Sequence, residues 1–164
     1  MNSGKLARAV CDGNAKLASA AIKGGANVNA HYRGRPILFW AIQEGHLNVV
    51  KLLVTAGASL RRRDALGFSA LDLAVGGGNA AIVSFLLNSG ADVNGRTANG
   101  SPLHTACAYW HVKIAKLLLE NGAAPLAVDT QGHTPAALTR LGKPNRLDAR
   151  LRTLLTKAQQ AHAA

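Results

Sequence analysis

Two histidines and a cysteine, His104, Cys107 and His111, stand three and four residues apart in the stretch HTACAYWH. On a continuous helix these spacings would place the three side chains on one face. Imidazole nitrogen and thiolate sulfur are ligands that Zn²⁺ favours, so the three residues form a candidate metal site. A closed zinc site needs a fourth ligand, however, and we expect a turn between Cys107 and His111. We therefore favour a structural role for these residues and predict no metal and no cofactor.

The densest cluster of charge is RRRD at residues 61–64, and Arg33 and Arg35 occupy the corresponding loop one repeat earlier. If the two loops lie side by side, their fixed charges could contact phosphate or an acidic protein surface. The alternative is a solvated loop tip without a ligand, and both interpretations stay open. A second basic block, Arg140 to Lys157, is better explained as the solvent-facing side of a terminal helix.

Residues that could perform catalysis do not converge in this sequence. There are eight Asp and Glu residues in the chain, and they are widely spaced. The glycine run at 76–78 is not followed by the Lys-Ser/Thr of a phosphate-binding loop, so we interpret it as a turn. We predict that the protein is not an enzyme and has no catalytic residues.

Composition limits the fold and the compartment. Of 164 residues, 48% are hydrophobic but only 4% are aromatic, so the core must consist of small aliphatic side chains in thin layers. No apolar run approaches the roughly 18 residues that a membrane span needs, and the N-terminus lacks the apolar segment of an export signal. A cytoplasmic protein is expected, or a secreted or periplasmic one if a signal peptide has been removed. The two cysteines, Cys11 and Cys107, are too few and too distant for a disulfide framework, and Cys11 is expected to be buried.

The net charge of +11 is unevenly distributed along the chain. Residues 1–30 carry +3, residues 31–63 carry +5 and residues 139–164 carry +5, whereas residues 64–138 carry −2. Charge of this kind bears on partners rather than on fold, and it favours an acidic one.

Glycines recur with one period in two independent series. The intervals are 32 or 33 residues in both series, which comprise Gly34, Gly67, Gly100 and Gly132, and Gly25, Gly57, Gly90 and Gly122. The residues between the glycines match as well. Such a period predicts stacked repeats, in which each unit buries its apolar face against its neighbours.

One repeat, from Gly67 to Asn94, shows the expected architecture. Ser69 begins a short helix, and the glycines at 76–78 end it. A second helix presents an apolar face that includes Leu86, and Gly90 suits its C-terminal cap. Each unit is therefore predicted to consist of two antiparallel helices of roughly 8–10 residues, joined by a turn and followed by an extended loop, with little strand.

This pattern resembles the ankyrin repeat, which runs approximately G-x-T-P-L-H-x-A-A-x-x-G-H, then V-V-x-L-L, then G-A-D-V-N. The matching stretches span roughly residues 4–158 and are AIQEGHLNVVKLLVTAGA at 41–58, GSPLHTACAYWH at 100–111 with one residue deleted, GHTPAAL at 132–138 and GNAKLASAAIKGGANVNA at 13–30. The resemblance implies an all-α ankyrin-repeat solenoid of about five stacked units. The expected boundaries are 1–30 for the N-terminal cap, 31–63, 64–96, 97–128, and 129–164 for the C-terminal cap.

Some positions depart from the family pattern. Phe39 and Ala137 stand where the pattern has histidine, so the hydrogen bonds of that histidine should be absent in those units. Trp110 stands where the pattern has the turn glycine, and we expect that turn to adjust its backbone to avoid a positive φ. In the second helices, Leu53, Leu86, Leu87, Leu117 and Leu118 are all expected to be buried.

The resemblance implies a non-catalytic module that binds another protein through the concave face formed by the loops and first helices. An acidic protein partner is favoured, and the role could be that of an adaptor, an inhibitor or an immunity protein. The residues expected to contact it are Tyr32, Arg33, Arg35, Gln43, Glu44, Leu66, Phe68, Asn99, Tyr109, Trp110, Gln131 and His133. Alternatively the basic ends bind nucleic acid or an anionic surface, although few aromatic residues are interleaved for stacking bases. We expect a monomer without a membrane span.

Overall fold

The computed structural model describes residues 2–97, 99–139 and 146–163. These residues form five successive helix pairs, and a two-stranded hairpin precedes the second pair. The first helices of the pairs are α1 (Asn2–Cys11), α3 (Ile37–Gln43), α5 (Ala70–Gly76), α7 (Pro102–Ala108) and α9 (Pro135–Leu138). The second helices are α2 (Ala15–Lys23), α4 (Leu47–Thr55), α6 (Ala80–Asn88), α8 (Val112–Glu120) and α10 (Arg146–Ala163). The strands are β1 (His31–Tyr32) and β2 (Arg35–Pro36). The predicted all-α repeat solenoid is confirmed.

The helices begin where polar residues can cap them. The side chain of Ser69 accepts a hydrogen bond from the first turn of α5, and the side chains of Asn14 and Asn79 do the same for α2 and α6. Helices α4, α6 and α8 each have nine residues, within the predicted range, but α3, α5 and α7 have only seven. These three first helices are shorter than expected because a residue with a positive φ, Gly45, Gly78 or Trp110, follows two residues after each of them.

The helices form two layers. In the first layer α1 packs on α3, α3 on α5, α5 on α7 and α7 on α9, and in the second α2, α4, α6 and α8 pack in the same order. The leucines at equivalent positions of the second helices, Leu53, Leu86 and Leu118, are fully buried between the layers. Stacking therefore buries one apolar stripe per helix, as repeat arrays require.

Two predictions of burial are wrong. Leu87 is buried but Leu117 is only half-buried. Adjacent residues on an α-helix are rotated by about 100°, so the neighbour of a fully buried leucine points towards the edge of the layer. Cys11, at the end of α1, is also half-buried rather than buried.

The extended loops are joined by two equivalent asparagines. Asn29 donates a hydrogen bond to the carbonyl oxygen of Gly57 and accepts one from the backbone of Ser59. Asn94 makes the same pair of bonds to Gly122 and Ala124. Each carboxamide therefore holds the loop of one repeat to the loop of the next.

The turn at Trp110 differs from its prediction. Its φ is +61°, close to the +73° of Gly45 and the +70° of Gly78 at equivalent turns. The backbone therefore keeps the left-handed conformation and places a bulky side chain in it, at a cost of about 1–2 kcal/mol. The backbone N–H of Trp110 still bonds the carbonyl oxygen of Cys107, which preserves the helix end.

Helix α10 packs against α8 and α9. Leu151 and Leu155 on this helix are fully buried, whereas Arg150 and Lys157 are exposed. Arg140, which opens the second basic block, and Ala98 lie outside the described residues. Among the residues that are described, no helix is both long and apolar enough to cross a membrane.

Candidate functional site: a groove across the first helices

A groove of about 560 Å³ crosses the layer of first helices. Four successive first helices contribute to its lining, through Gln43 of α3, Leu73 of α5, Thr105 of α7 and Leu138 of α9. Gly76 and Gly77 also line it, so the end of α5 belongs to this concave surface. Concave, mostly apolar surfaces with a few polar groups are the usual form of a binding site.

Four of the residues predicted to bind a partner meet in this groove. They come from three successive repeats and are Gln43, Phe68, Asn99 and Tyr109. Tyr109 is 63% exposed, which makes it one of the most accessible large hydrophobic residues of the protein. Its ring is stacked with the imidazole of His111 at a centroid distance of 6.1 Å. The packing leaves the other side of the phenol ring available to a ligand.

Tyr32, Arg33, Arg35 and Trp40 form a second group, which we call the aromatic–arginine cluster. The Trp40 indole N–H donates to the carbonyl oxygen of Tyr32 at 2.9 Å, and the two rings meet edge to face at 5.8 Å. The guanidinium of Arg33 lies 5.3 Å from the Tyr32 ring centroid, and that of Arg35 lies 5.7 Å from the Trp40 ring centroid. These cation–π contacts hold the hairpin tip in a defined shape.

Arg35 connects the cluster to the groove. Its Nη1 donates to Oε1 of Gln43 at 2.7 Å, and its Nη2 lies 3.4 Å from Oδ2 of Asp64. The side chain of Asp64 is nearly buried, so this ion pair is shielded from solvent on one side. Arg35 therefore has a structural role in addition to its predicted role in binding.

Asp72 on α5 occupies the position equivalent to His104 on α7. Its Oδ2 accepts hydrogen bonds from the backbone N–H of Ser69 at 2.9 Å and from the Ser69 hydroxyl at 2.7 Å. Nη1 of Arg63 is 4.0 Å from the same oxygen. Desolvation by burial nevertheless raises the pKa of the Asp72 carboxyl above its ordinary value. Asp72 is 4% exposed and lines the groove, so its carboxylate is a buried charge with incomplete compensation.

His104 uses both ring nitrogens within the fold. Nδ1 accepts a bond from the backbone N–H of Ser101, so Nε2 must carry the proton that it donates to the carbonyl oxygen of His133. Burial lowers the pKa of His104, which keeps the ring neutral.

Cys107 is fully buried, and desolvation raises the pKa of its thiol to about 12. A turn at Tyr109 and Trp110 separates Cys107 from His111, and no metal-binding group of three His, Cys, Asp or Glu occurs among the described residues.

The remaining predicted site residues lie outside the groove lining. Glu44 is exposed at the C-terminal end of α3, and Leu66 is 76% exposed at a loop tip. Trp110 is half-buried in its turn. Gln131 is exposed, and the Nδ1 atom of His133 lies 3.5 Å from Oδ2 of Asp129 in the same loop.

Sequence reasoning missed several residues that the structure places at the site, including Trp40, Asp72 and Leu73. Trp40 is not among the residues expected to contact a partner, although it carries the contact with Arg35. A signal for Asp72 did exist, because GFSALDLA at 67–74 aligns with GSPLHTA at 100–106 and brings Asp72 close to the register of His104. Leu73 had no such signal, because its exposure to the groove depends on how α5 and α7 pack.

Comparison with known proteins agrees with this architecture. A family model described as ankyrin repeats in three copies matches residues 6–97 and 56–129. An ankyrin-repeat protein of Fowlpox virus (strain NVSL) is 30% identical over 109 residues, which are 66% of this chain and 77% of the viral protein. An ankyrin repeat-containing protein of Treponema pallidum (strain Nichols) is 30% identical over 135 residues, which are 80% of this chain and 45% of that protein.

A human palmitoyltransferase is 35% identical over 94 residues, which are 56% of this chain but only 15% of the enzyme. That match covers repeats and carries no information on transferase activity. Because the family model spans most of the described residues, the chain belongs to the ankyrin-repeat family, whose repeats are modules of protein–protein interaction and are generally not catalytic.

Proposed function

We propose that this protein binds a partner protein through the groove and the adjacent aromatic–arginine cluster. The observation that carries the proposal is the groove itself, because four successive first helices line it with side chains that vary between repeats. The repeated residues build the rigid scaffold, and the variable ones present Phe68 and the exposed Tyr109. Aromatic residues of this kind are common anchors of protein interfaces.

An acidic segment of the partner would fit the loop side of this surface. Arg33, Arg61 and Arg62 are exposed there, whereas Arg35 is held by Asp64. The contact between Arg35 and Asp64 shows that the two loops are neighbours, so their exposed guanidinium groups act on the same region of solvent. We infer that these charges speed up association with an acidic protein and that the aromatic residues supply most of the affinity.

The test is affinity capture from the protein's native source, followed by measured binding of the purified partner. The baits are the wild-type protein and the triple variant Tyr32→Ala/Arg33→Ala/Tyr109→Ala. Lys51→Ala, at an exposed position of α4, is the control. We expect the triple variant to lose about 2 kcal/mol or more of binding free energy while its circular dichroism stays unchanged. Unchanged affinity in a folded triple variant would contradict the proposal.

The Tyr109→Ala and Trp110→Ala single variants separate the two neighbouring aromatics. Tyr109 lines the groove and should account for about 2 kcal/mol of binding free energy. Trp110 is also among the residues expected to contact the partner, but its place outside the groove lining makes a smaller loss of binding free energy the expected result. The Arg33→Ala variant should act mainly on the association rate and on its salt dependence.

Binding of nucleic acid by the basic ends is the alternative. It predicts a steep fall of affinity with salt, because each neutralised phosphate releases counterions. The affinity of an interface anchored by aromatic residues depends only weakly on the salt concentration. Capture that is abolished by nuclease treatment would support the alternative and contradict a protein partner.

A further inference from the structure

The described lining of the groove includes one carboxylate, that of Asp72, and one of its two oxygens accepts no hydrogen bond from the described residues. Within the described part of the chain, the hydrogen bonds to the Asp72 side chain all end on Oδ2, and so does its contact with Arg63. Oδ1 accepts no hydrogen bond from these residues, and it is not among the fully enclosed side-chain atoms without a partner, so a ligand in the groove can reach it. A hydrogen bond to a largely desolvated carboxylate contributes more than the same bond at the surface.

The charge of the groove lining is opposite to that of the protein as a whole. The net charge of the chain is +11, yet the lining includes the acid Asp72 and, as far as the structure describes it, neither Lys nor Arg. His104 lines the groove too, but its lowered pKa and its two engaged nitrogens leave it neutral. A cationic group that enters the groove therefore meets a negative charge that is compensated only in part, by Arg63 at 4.0 Å from Oδ2 and outside the groove lining.

The walls suit the stem of a long basic side chain. Phe68 and Tyr109 provide aromatic surface, and Leu73 and Leu138 provide aliphatic surface. Methylene groups of lysine pack well on such surfaces, and aromatic rings additionally attract the ammonium group. The groove thus combines an apolar passage with a carboxylate at its floor.

We propose that the groove receives a lysine side chain of the partner protein, with its ammonium group donating to Oδ1 of Asp72. Lysine fits better than arginine because Ser69 already occupies Oδ2, so the bidentate contact that favours guanidinium groups is unavailable. This inference rests on the proposed function and names the chemistry that the groove selects. The partner segment would combine acidic residues opposite the exposed arginines with one lysine directed into the groove.

The experiment uses a displayed library of random dodecapeptides as the probe, selected against the full chain. Selected peptides are retained when Tyr109→Ala weakens their binding, since this shows that they occupy the groove. Each lysine of a retained peptide is then replaced by norleucine, which keeps the stem and removes the charge. Dissociation constants are measured by calorimetry for wild type and for Asp72→His. That variant is expected to fold, because His104 caps α7 from the equivalent position.

We expect one lysine whose replacement weakens binding to wild type about tenfold or more, as for desolvated charge pairs. On Asp72→His the same replacement should change affinity less than about twofold, which is the signature of direct coupling. Asp92→Asn removes one exposed charge outside the groove and should leave the lysine effect intact.

The outcomes separate the two proposals. Peptides that need Tyr109 but bind equally well with norleucine, or equally well to Asp72→His, overturn the lysine contact and leave the proposed function standing. A selection that yields binders indifferent to Tyr109 counts against the groove as a binding surface, and therefore against both proposals.

Discussion

Nε2 of His104 donates a hydrogen bond to the carbonyl oxygen of His133 at 3.0 Å. The two residues lie in adjacent repeats, and the other ring nitrogen accepts from Ser101 at the start of α7. One neutral imidazole therefore caps its own helix and fastens the loop of the next repeat. It does so at the wall of the groove, so the stability of this contact also supports the candidate binding site.

Replacing His104 should destabilise the protein without touching its exposed surface. His104→Ala leaves the buried backbone N–H of Ser101 without a partner, which costs about 1–3 kcal/mol for such a group. It also removes one of the two hydrogen bonds to the carbonyl oxygen of His133, which keeps the bond from the backbone N–H of Asp129. Chemical denaturation measures the effect. His31→Ala, at an exposed position of the hairpin, is the matched control and should change stability by less than about 0.5 kcal/mol. Equal effects of the two variants would show that the hydrogen bonds of His104 contribute nothing.

The same residue predicts how stability depends on pH. Burial lowers the pKa of His104 below its ordinary 6.5, so the unfolded chain binds this proton more readily than the folded protein. Its contribution is complete above about pH 6.5 and is lost as the pH falls through the lower pKa of the folded state. Denaturation curves at a series of pH values should show this loss. The slope of the unfolding free energy against pH should be smaller in His104→Asn than in the wild type. Identical slopes for the wild type and the variant would show that His104 is not the source of the pH dependence.

Replacing leucines of the second helices by alanine should lower the free energy of unfolding by amounts that depend on how deeply each leucine is buried. Leu86 is fully buried between the layers, and Leu86→Ala should cost about 2–5 kcal/mol of unfolding free energy. Leu117 is half-buried, so Leu117→Ala should cost less than half as much. Urea denaturation of both variants tests the order, and an equal loss for the two would contradict the burial that the structure assigns to Leu117.

At the turn of Trp110, a glycine substitution should give a more stable protein than an alanine substitution, which is the reverse of the usual order. Because φ of Trp110 is +61°, Trp110→Gly relieves a strain that Trp110→Ala retains. The glycine variant should therefore be more stable than the alanine variant by about 1 kcal/mol, although glycine normally costs stability within a folded chain. Thermal unfolding of the two variants decides the matter, and greater stability of the alanine variant would mean that the left-handed conformation is not maintained.

The two cysteines should differ in reactivity. Desolvation raises the pKa of both thiols, but Cys11 is half-buried, whereas Cys107 is fully buried and its pKa is raised to about 12. Only the thiolate reacts with iodoacetamide, so Cys11 should be alkylated in the native protein and Cys107 only after unfolding. Peptide mass spectrometry distinguishes the two sites. Alkylation of Cys107 at a rate similar to Cys11 under native conditions would contradict its burial.

Much of the fold follows from local features of the sequence. The glycine period predicted stacked helix pairs because glycine is the residue that accommodates the left-handed helix ends, which Gly57 and Gly90 have in the structure. Ser69 predicted the start of α5 because its side chain satisfies a free backbone N–H within three residues. Such interactions span one turn of chain and can be read without knowledge of the neighbours.

The candidate site follows less directly. Phe68 and Tyr109 could be named from their positions in the repeat, but the groove between them depends on the packing of α3, α5, α7 and α9. Arg35 was predicted as an exposed contact, and only the proximity of Asp64, which is 29 residues away, shows that it is paired. The sequence by itself determined the helices, their period and their caps, because these depend on residues close along the chain. Only the tertiary structure decided which charges are paired and where a concave surface opens, because those depend on distances between repeats.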